Sequence, residues 1–166
     1  MESEHIKEVY AHYGLAMYEA QCVERQLAIL LATEYGPAFQ SMTRDCYDEL
    51  LKSLFKKTFG GLLHKLEKSI GIPDGFEQRL RNALKKRNWL AHHYFWERAG
   101  HFMTERGRNS MIEELRTVTE KLHELDQELI EVSKRWMEKV GLPEEIVELE
   151  KERLIHEATD NGGEST

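Results

Sequence analysis

Proline is scarce in this chain: Pro37, Pro73 and Pro143 are the three among 166 residues. The stretches between them carry little that forbids a helix. Alternation of apolar and polar residues, the mark of a half-buried strand, is also hard to find, so the composition predicts an all-α fold. Cysteine is rarer still. Cys22 and Cys46 have no metal-ligand spacing and predict reduced thiols in a cytoplasmic protein. No apolar run approaches the roughly eighteen residues a membrane helix requires. Met1 to His5 lacks the basic and apolar regions of a signal peptide. There is no Gly-x-Ser-x-Gly nucleophile turn, and no glycine-rich loop follows a strand, which excludes the usual nucleotide-binding folds. Positive charge is in deficit overall: the net charge of −7 argues against a general nucleic-acid coat.

What is present is helical periodicity. Ile6, Tyr13, Ala20 and Leu27 recur every seven residues, as do Val9, Ala16, Val23 and Leu30. They predict a long helix from Ser3 to Glu34, ended by Gly36-Pro37. Leu115, Leu122, Leu129 and Trp136, with Val118, Leu125 and Val132, form a second seam of the same period. A capping box at Ser110 and Glu113 opens it and Gly141 stops it. The two seams predict an antiparallel helical bundle with two long helices and several shorter ones. Between them, a helix after Arg44-Asp45 turns Leu50, Leu51, Leu54 and Phe55 inward. Gly60-Gly61 breaks the chain, and Leu62, Leu63, Leu66 and Ile70 mark a short helix. Asp74 and Glu77 cap a further helix that reaches Arg98–Gly100, followed by a polar loop to Asn109. The bundle occupies residues 1–140. A short acidic helix at 141–157 and a disordered tail at 158–166 complete the organisation.

The unusual segment lies on the helix opened by Asp74. Phe76, Leu80, Ala83, Leu90 and Tyr94 form one apolar stripe, and Arg87 falls on it. A guanidinium is costly there unless something pairs with it. His92, the side chain most able to trade a proton near neutral pH, follows five residues later. Five residues turn about 140° around a helix, so Arg87 and His92 are not stacked, whereas Asn88 and His92 align. Charge concentrates here too. From Arg79 to Arg98 six cations accompany the single acid Glu97, a net of +5, while Glu144 to Asp160 carries a net of −5. Cation, imidazole and phenol on one segment point to an anionic, phosphate-bearing partner. Glu-x-x-His occurs at Glu2/His5 and Glu120/His123, but the first is terminal and the second points outward from its seam, so no metal and no cofactor is predicted.

Leu84 to Phe95 resembles the signature helix of HEPN domains, Arg-x-x-x-x-His with an Arg-Asn start and a His-x-Tyr ending as in many toxin members. The runs Lys57-Thr58-Phe59-Gly60-Gly61-Leu62 and Met111-Ile112-Glu113-Glu114-Leu115 resemble that family's spacing, and the likeness spans roughly residues 3 to 140. The resemblance implies a homodimer with facing motif helices and metal-independent cleavage of RNA, in a toxin–antitoxin or antiviral defence setting. Arg87 would hold the scissile phosphate, and His92 would act as general base or acid. Asn88 would orient either one, and Lys86 would support the substrate. Tyr94 matches the tyrosine that a separate nucleotidyltransferase antitoxin modifies in some members, and its ring could stack on a base. His93 is either a second polar contact or turned to the other side. A different class of function stays open: a non-catalytic helical binding or dimerisation module. A purely structural role for Arg87 predicts an acid, for instance Glu24, locking it away from solvent.

Overall fold

The computed structural model describes residues 2–34, 44–66 and 75–139. Its described part is all-helical: α1 Glu2–Glu34, α2 Arg44–Phe55, α3 Phe59–Leu66, α4 Phe76–His92, α5 Tyr94–Glu97, α6 Ala99–Phe102 and α7 Glu105–Lys139. No described helix is long and apolar enough to cross a membrane. The predicted stops at Gly36-Pro37 and Gly141, Ile70 with the turn to Asp74, and the 141–157 and 158–166 segments lie outside the described residues.

Both seven-residue seams point inward. Val9, Ala16, Ala20, Val23, Leu27 and Leu30 of α1 are buried, as are Leu115, Val118, Leu122, Leu125, Leu129 and Val132 of α7. Among the described helices, these two pack against each other most extensively. Their direction corrects the sequence expectation. Gln26 Nε2 donates to Ser133 Oγ at 3.2 Å, and Glu19 lies 3.4 Å from His123 Nδ1. The residue numbers of the partners rise together, so α1 and α7 run parallel. A heptad pattern specifies which face is apolar, not which way the partner runs. The antiparallel element is α4. Tyr13 donates to the Leu90 carbonyl and Glu24 reaches Arg87, while Tyr94 and Arg98, just beyond α4, contact Met111 and Glu114, and Arg79 contacts Glu128. α4 therefore lies across both long helices with its dipole opposed to theirs.

The shorter elements depart from the pattern in four places. Gly60 and Gly61 sit inside the first turn of α3, where the Gly61 N–H donates to Thr58 Oγ1 at 3.3 Å; the break falls at residues 56–58. Leu54 is buried as expected, but Phe55 is 37% exposed and carries the Arg25 guanidinium over its ring at 4.4 Å. The N-cap of α4 is Gly75, with no side-chain cap bond, where the sequence predicts a cap from Asp74 and Glu77; its φ of 76° lies in a region that disfavours other residues.

The fourth departure is the end of α4. The predicted single helix to Gly100 bends at His93 and again at Arg98, giving two one-turn helices. An unbent helix would carry Phe102 about 15 Å beyond His92. The bends instead fold Phe95 and Phe102 around Tyr10 and Tyr13, with ring centroids 4.9–6.0 Å apart. Tilted and edge contacts among these rings, with partial burial of Tyr13, Phe95 and Phe102, offset the lost helical continuity. The predicted polar loop is correspondingly short, and α7 starts five residues before the Ser110 box. Thr104 caps it: its Oγ1 accepts the Gly107 N–H at 3.1 Å, and its carbonyl accepts the Arg108 N–H at 2.9 Å.

Gly107 is where α6 and α7 touch backbone to backbone. A Cβ there would lie 2.1 Å from the His101 carbonyl oxygen. Alanine gains about 1 kcal/mol of helix preference over glycine, and a clash with rigid backbone exceeds that. Gly107→Ala is therefore expected to lower unfolding free energy by about 2 kcal/mol or more in urea titration, and Thr104→Ala by about 1 kcal/mol. An alanine variant as stable as the parent would contradict the close approach.

Candidate functional site

α4 buries Phe76, Leu80, Ala83 and Leu90, and Tyr94 beyond its end continues the same stripe. Arg87, on that stripe, reaches its rim. Its side chain keeps 32% of its exposure, and Nη2 lies 3.6 Å from Glu24 Oε2, whose side chain keeps 19%. The acid that a structural role requires is thus the one named from the sequence, but the pair is open to solvent on one side. Arg87 Nη1 also donates to Asn88 Oδ1 at 3.1 Å. Beside them lies a groove of about 230 Å³ lined by Gln21, Glu24, Arg25, Phe55, Lys57 and Arg87, among others.

Asn88, His92 and His93 are all exposed, and the two imidazoles meet edge-on with centroids 6.3 Å apart. His92 shares its helix face with Asn88, four residues earlier. Within one chain the structure connects Arg87 to Asn88 and sets His92 alongside Asn88; no hydrogen bond or ion pair joins Arg87 to His92. Lys86 Nζ sits 4.3 Å from the Trp89 ring centre, and the Arg98 guanidinium 5.4 Å from it. The indole N–H donates to Glu97 at 2.8 Å. This cation–aromatic cluster fixes Lys86 at the edge of the segment rather than over Arg87.

Tyr94 is placed differently from its expected role. It is fully buried, its hydroxyl donates to the Met111 carbonyl at 3.2 Å, and its ring packs on Tyr13, Trp89 and Phe95. Burial raises its phenol pKa well above the ordinary value, with the Glu114 carboxylate adding to the shift. In this conformation it offers neither a hydroxyl for modification nor a ring face to a base. Its place on the apolar stripe with Leu90 is the sequence signal for that burial. Arg25 and Lys57 reach the groove without any mark in the local pattern, because α1 and the α2–α3 turn become neighbours of Arg87 in the fold alone.

Among the described residues no group of three or more His, Cys, Asp or Glu side chains converges as a metal site. His123 points outward and meets Glu19. Neither cysteine is in a disulfide. Comparison with family models, curated proteins and solved structures finds no match. The resemblance to HEPN domains therefore rests on the residues quoted for it.

The joint that holds this end of the site is a two-pronged ion pair. Arg98 donates to Glu114 through Nε at 2.9 Å and Nη2 at 2.8 Å. The guanidinium bonds hold the Glu114 carboxyl below its usual range. A depressed carboxylate pKa stabilises the fold above the unfolded value, and that stability is lost as pH falls through the folded value. Glu114→Gln should then cost about 1–2 kcal/mol at pH 7 and progressively less toward acid pH, measured by denaturant unfolding across a pH series. A pH-independent cost would contradict the pairing.

Proposed function

We propose that the chain is a HEPN-type, metal-independent endoribonuclease acting as a homodimer, with Arg87 and His92 at its reacting centre. The observation that carries this reading is the bond from Arg87 to Asn88, with the exposed imidazole of His92 one turn beyond Asn88 on the same face. A guanidinium fork at the rim of α4, an amide bonded to it and an open imidazole are thus displayed on adjoining faces of one helix. Arg87 can hold both non-bridging oxygens of a phosphodiester. Imidazole can take the proton of a ribose 2′-hydroxyl. The 2′ oxygen then bonds to phosphorus as the 5′ oxygen leaves. An imidazolium returns a proton to that 5′ oxygen, giving a 2′,3′-cyclic phosphate and a 5′-hydroxyl.

Of the six cations between Arg79 and Arg98, the four arginines Arg79, Arg81, Arg87 and Arg98 are each paired with an acid, so an anionic substrate would rely on Lys85 and Lys86 and on exchange of Glu24 at Arg87. Trp96 at 86% and Met103 at 78% exposure, close in sequence to the motif, supply apolar surface suited to a second copy. A defence or toxin role would place the opposing antitoxin on a separate chain.

A second reading has its own observation. Glu24 already answers the Arg87 charge, as it would in a non-catalytic binding or dimerisation module. Cleavage separates the two. The purified protein is incubated with single-stranded RNA in excess chelator, and the ends are identified. The expected result is 2′,3′-cyclic phosphate ends with the parent. His92→Ala and Arg87→Ala should each be slower by about 100-fold or more while their circular dichroism is unchanged. Equal cleavage by parent and His92→Ala, or none by either, favours the binding module.

A further inference from the structure

The groove beside Arg87 carries chemistry that the motif does not use. Arg25 comes from α1, Lys57 from the turn between α2 and α3, and Arg87 from α4, so three cations from separate parts of the chain line one depression. Glu24 is the one acid among its lining residues. Arg25 is positioned by stacking over Phe55 at 4.4 Å, which limits its freedom without using its N–H donors. Arg25 and Lys57 are exposed, Arg87 is half-buried, and Ala28 and Leu62 give the groove a buried apolar floor. Three cations against one carboxylate leave the lining net positive, and the low-dielectric floor focuses that field on whatever enters. The depression is too small for a helix or a folded partner, and it is open enough for a tetrahedral anion.

We propose that Arg25 and Lys57, beside Arg87, form a second phosphate subsite that holds the neighbouring backbone phosphodiester of a single-stranded nucleic acid whose first phosphate sits on Arg87. This rests on the phosphate-binding role of Arg87 stated above, and not on catalysis by His92. Contacts of this kind are independent of sequence and set the register of a strand. Glu24 acquires a definite part: its carboxylate, 3.6 Å from Arg87 Nη2, occupies the place a phosphate oxygen would take. Removing its charge should favour the ligand.

The test is fluorescence anisotropy with a labelled deoxythymidine oligonucleotide. It has the backbone charge but lacks the 2′-hydroxyl nucleophile, so binding is read apart from cleavage. Arg25→Gln and Lys57→Gln should each weaken binding about fivefold or more and flatten the salt dependence by roughly 0.7 in log–log slope per lost contact. Glu24→Gln should tighten it severalfold, and Lys121→Gln, on exposed α7 surface, should leave it unchanged. Circular dichroism of each variant verifies folding. Groove-dependent binding without any RNA cleavage by the parent supports the subsite and overturns the catalytic reading. Cleavage by the parent, with Arg25→Gln and Lys57→Gln binding like the parent, overturns the subsite alone. Tripolyphosphate serves as the second probe. Its binding, lost in both variants while the oligonucleotide is not bound, would assign the groove to free phosphates and overturn the strand assignment.

Discussion

The parallel packing of α1 on α7 sets the position of everything else. Two long helices sharing a direction leave a seam along their side that an antiparallel element can close, and α4 is that element. Its inward stripe supplies Leu80, Ala83 and Leu90 to the same core. Each large aliphatic side chain so buried contributes about 1.5–3 kcal/mol. The rotation of α4 is fixed by that burial. Once Ala83 and Leu90 face inward, Arg87 must emerge at the rim toward α1, and Asn88 and His92 must face solvent. The chemistry-bearing side chains are displayed because of the packing opposite them, and no loop is needed to present them.

The bends at His93 and Arg98 are a second consequence. Tyr94 completes the stripe, and the aromatic rings that follow close the end of the core against Tyr10 and Tyr13. The close contact of Gly107 with His101 and the ion pair of Arg98 with Glu114 lock that arrangement onto α7. The segment bearing the motif is therefore anchored on both sides. That suits a site requiring fixed geometry, since a misplacement of about 1 Å can remove much of a positioning advantage.

The all-helical class, both seams and the inward residues of α4 were legible in the sequence, because seven-residue recurrence reports directly on which face is buried. The direction of pairing was not, because an apolar stripe is the same read from either end. The bends and the early start of α7 were hidden for different reasons. The bends arise from ring contacts such as Phe95 on Tyr13 that are distant in sequence, whereas the early start of α7 had a local signal in the N-cap residue Thr104, masked by the stronger capping box at Ser110 and Glu113. At the site, Glu24 could be named as a partner for Arg87 from its position near the middle of the first helix. Arg25 and Lys57 could not, since nothing local distinguishes them from solvated cations. Tyr94 carried two signals in conflict, a motif match and a place on the apolar stripe, and the stripe decided its burial.

Arg87 is either a functional cation held loosely by Glu24 or a structural one locked by it. Two unit charges about 4 Å apart attract by roughly 1 kcal/mol in water and about 4 kcal/mol near a protein surface, before desolvation is subtracted. The partial exposure of both side chains places this pair toward the weaker end. A double-mutant cycle of Glu24→Gln and Arg87→Gln, read by denaturant unfolding, measures the coupling directly. A coupling below about 1 kcal/mol is predicted, as for an ion pair open to solvent and free to exchange its acid for a phosphate. A coupling of about 3 kcal/mol or more would be that of a buried structural pair and would contradict the assignment of Arg87 to ligand binding.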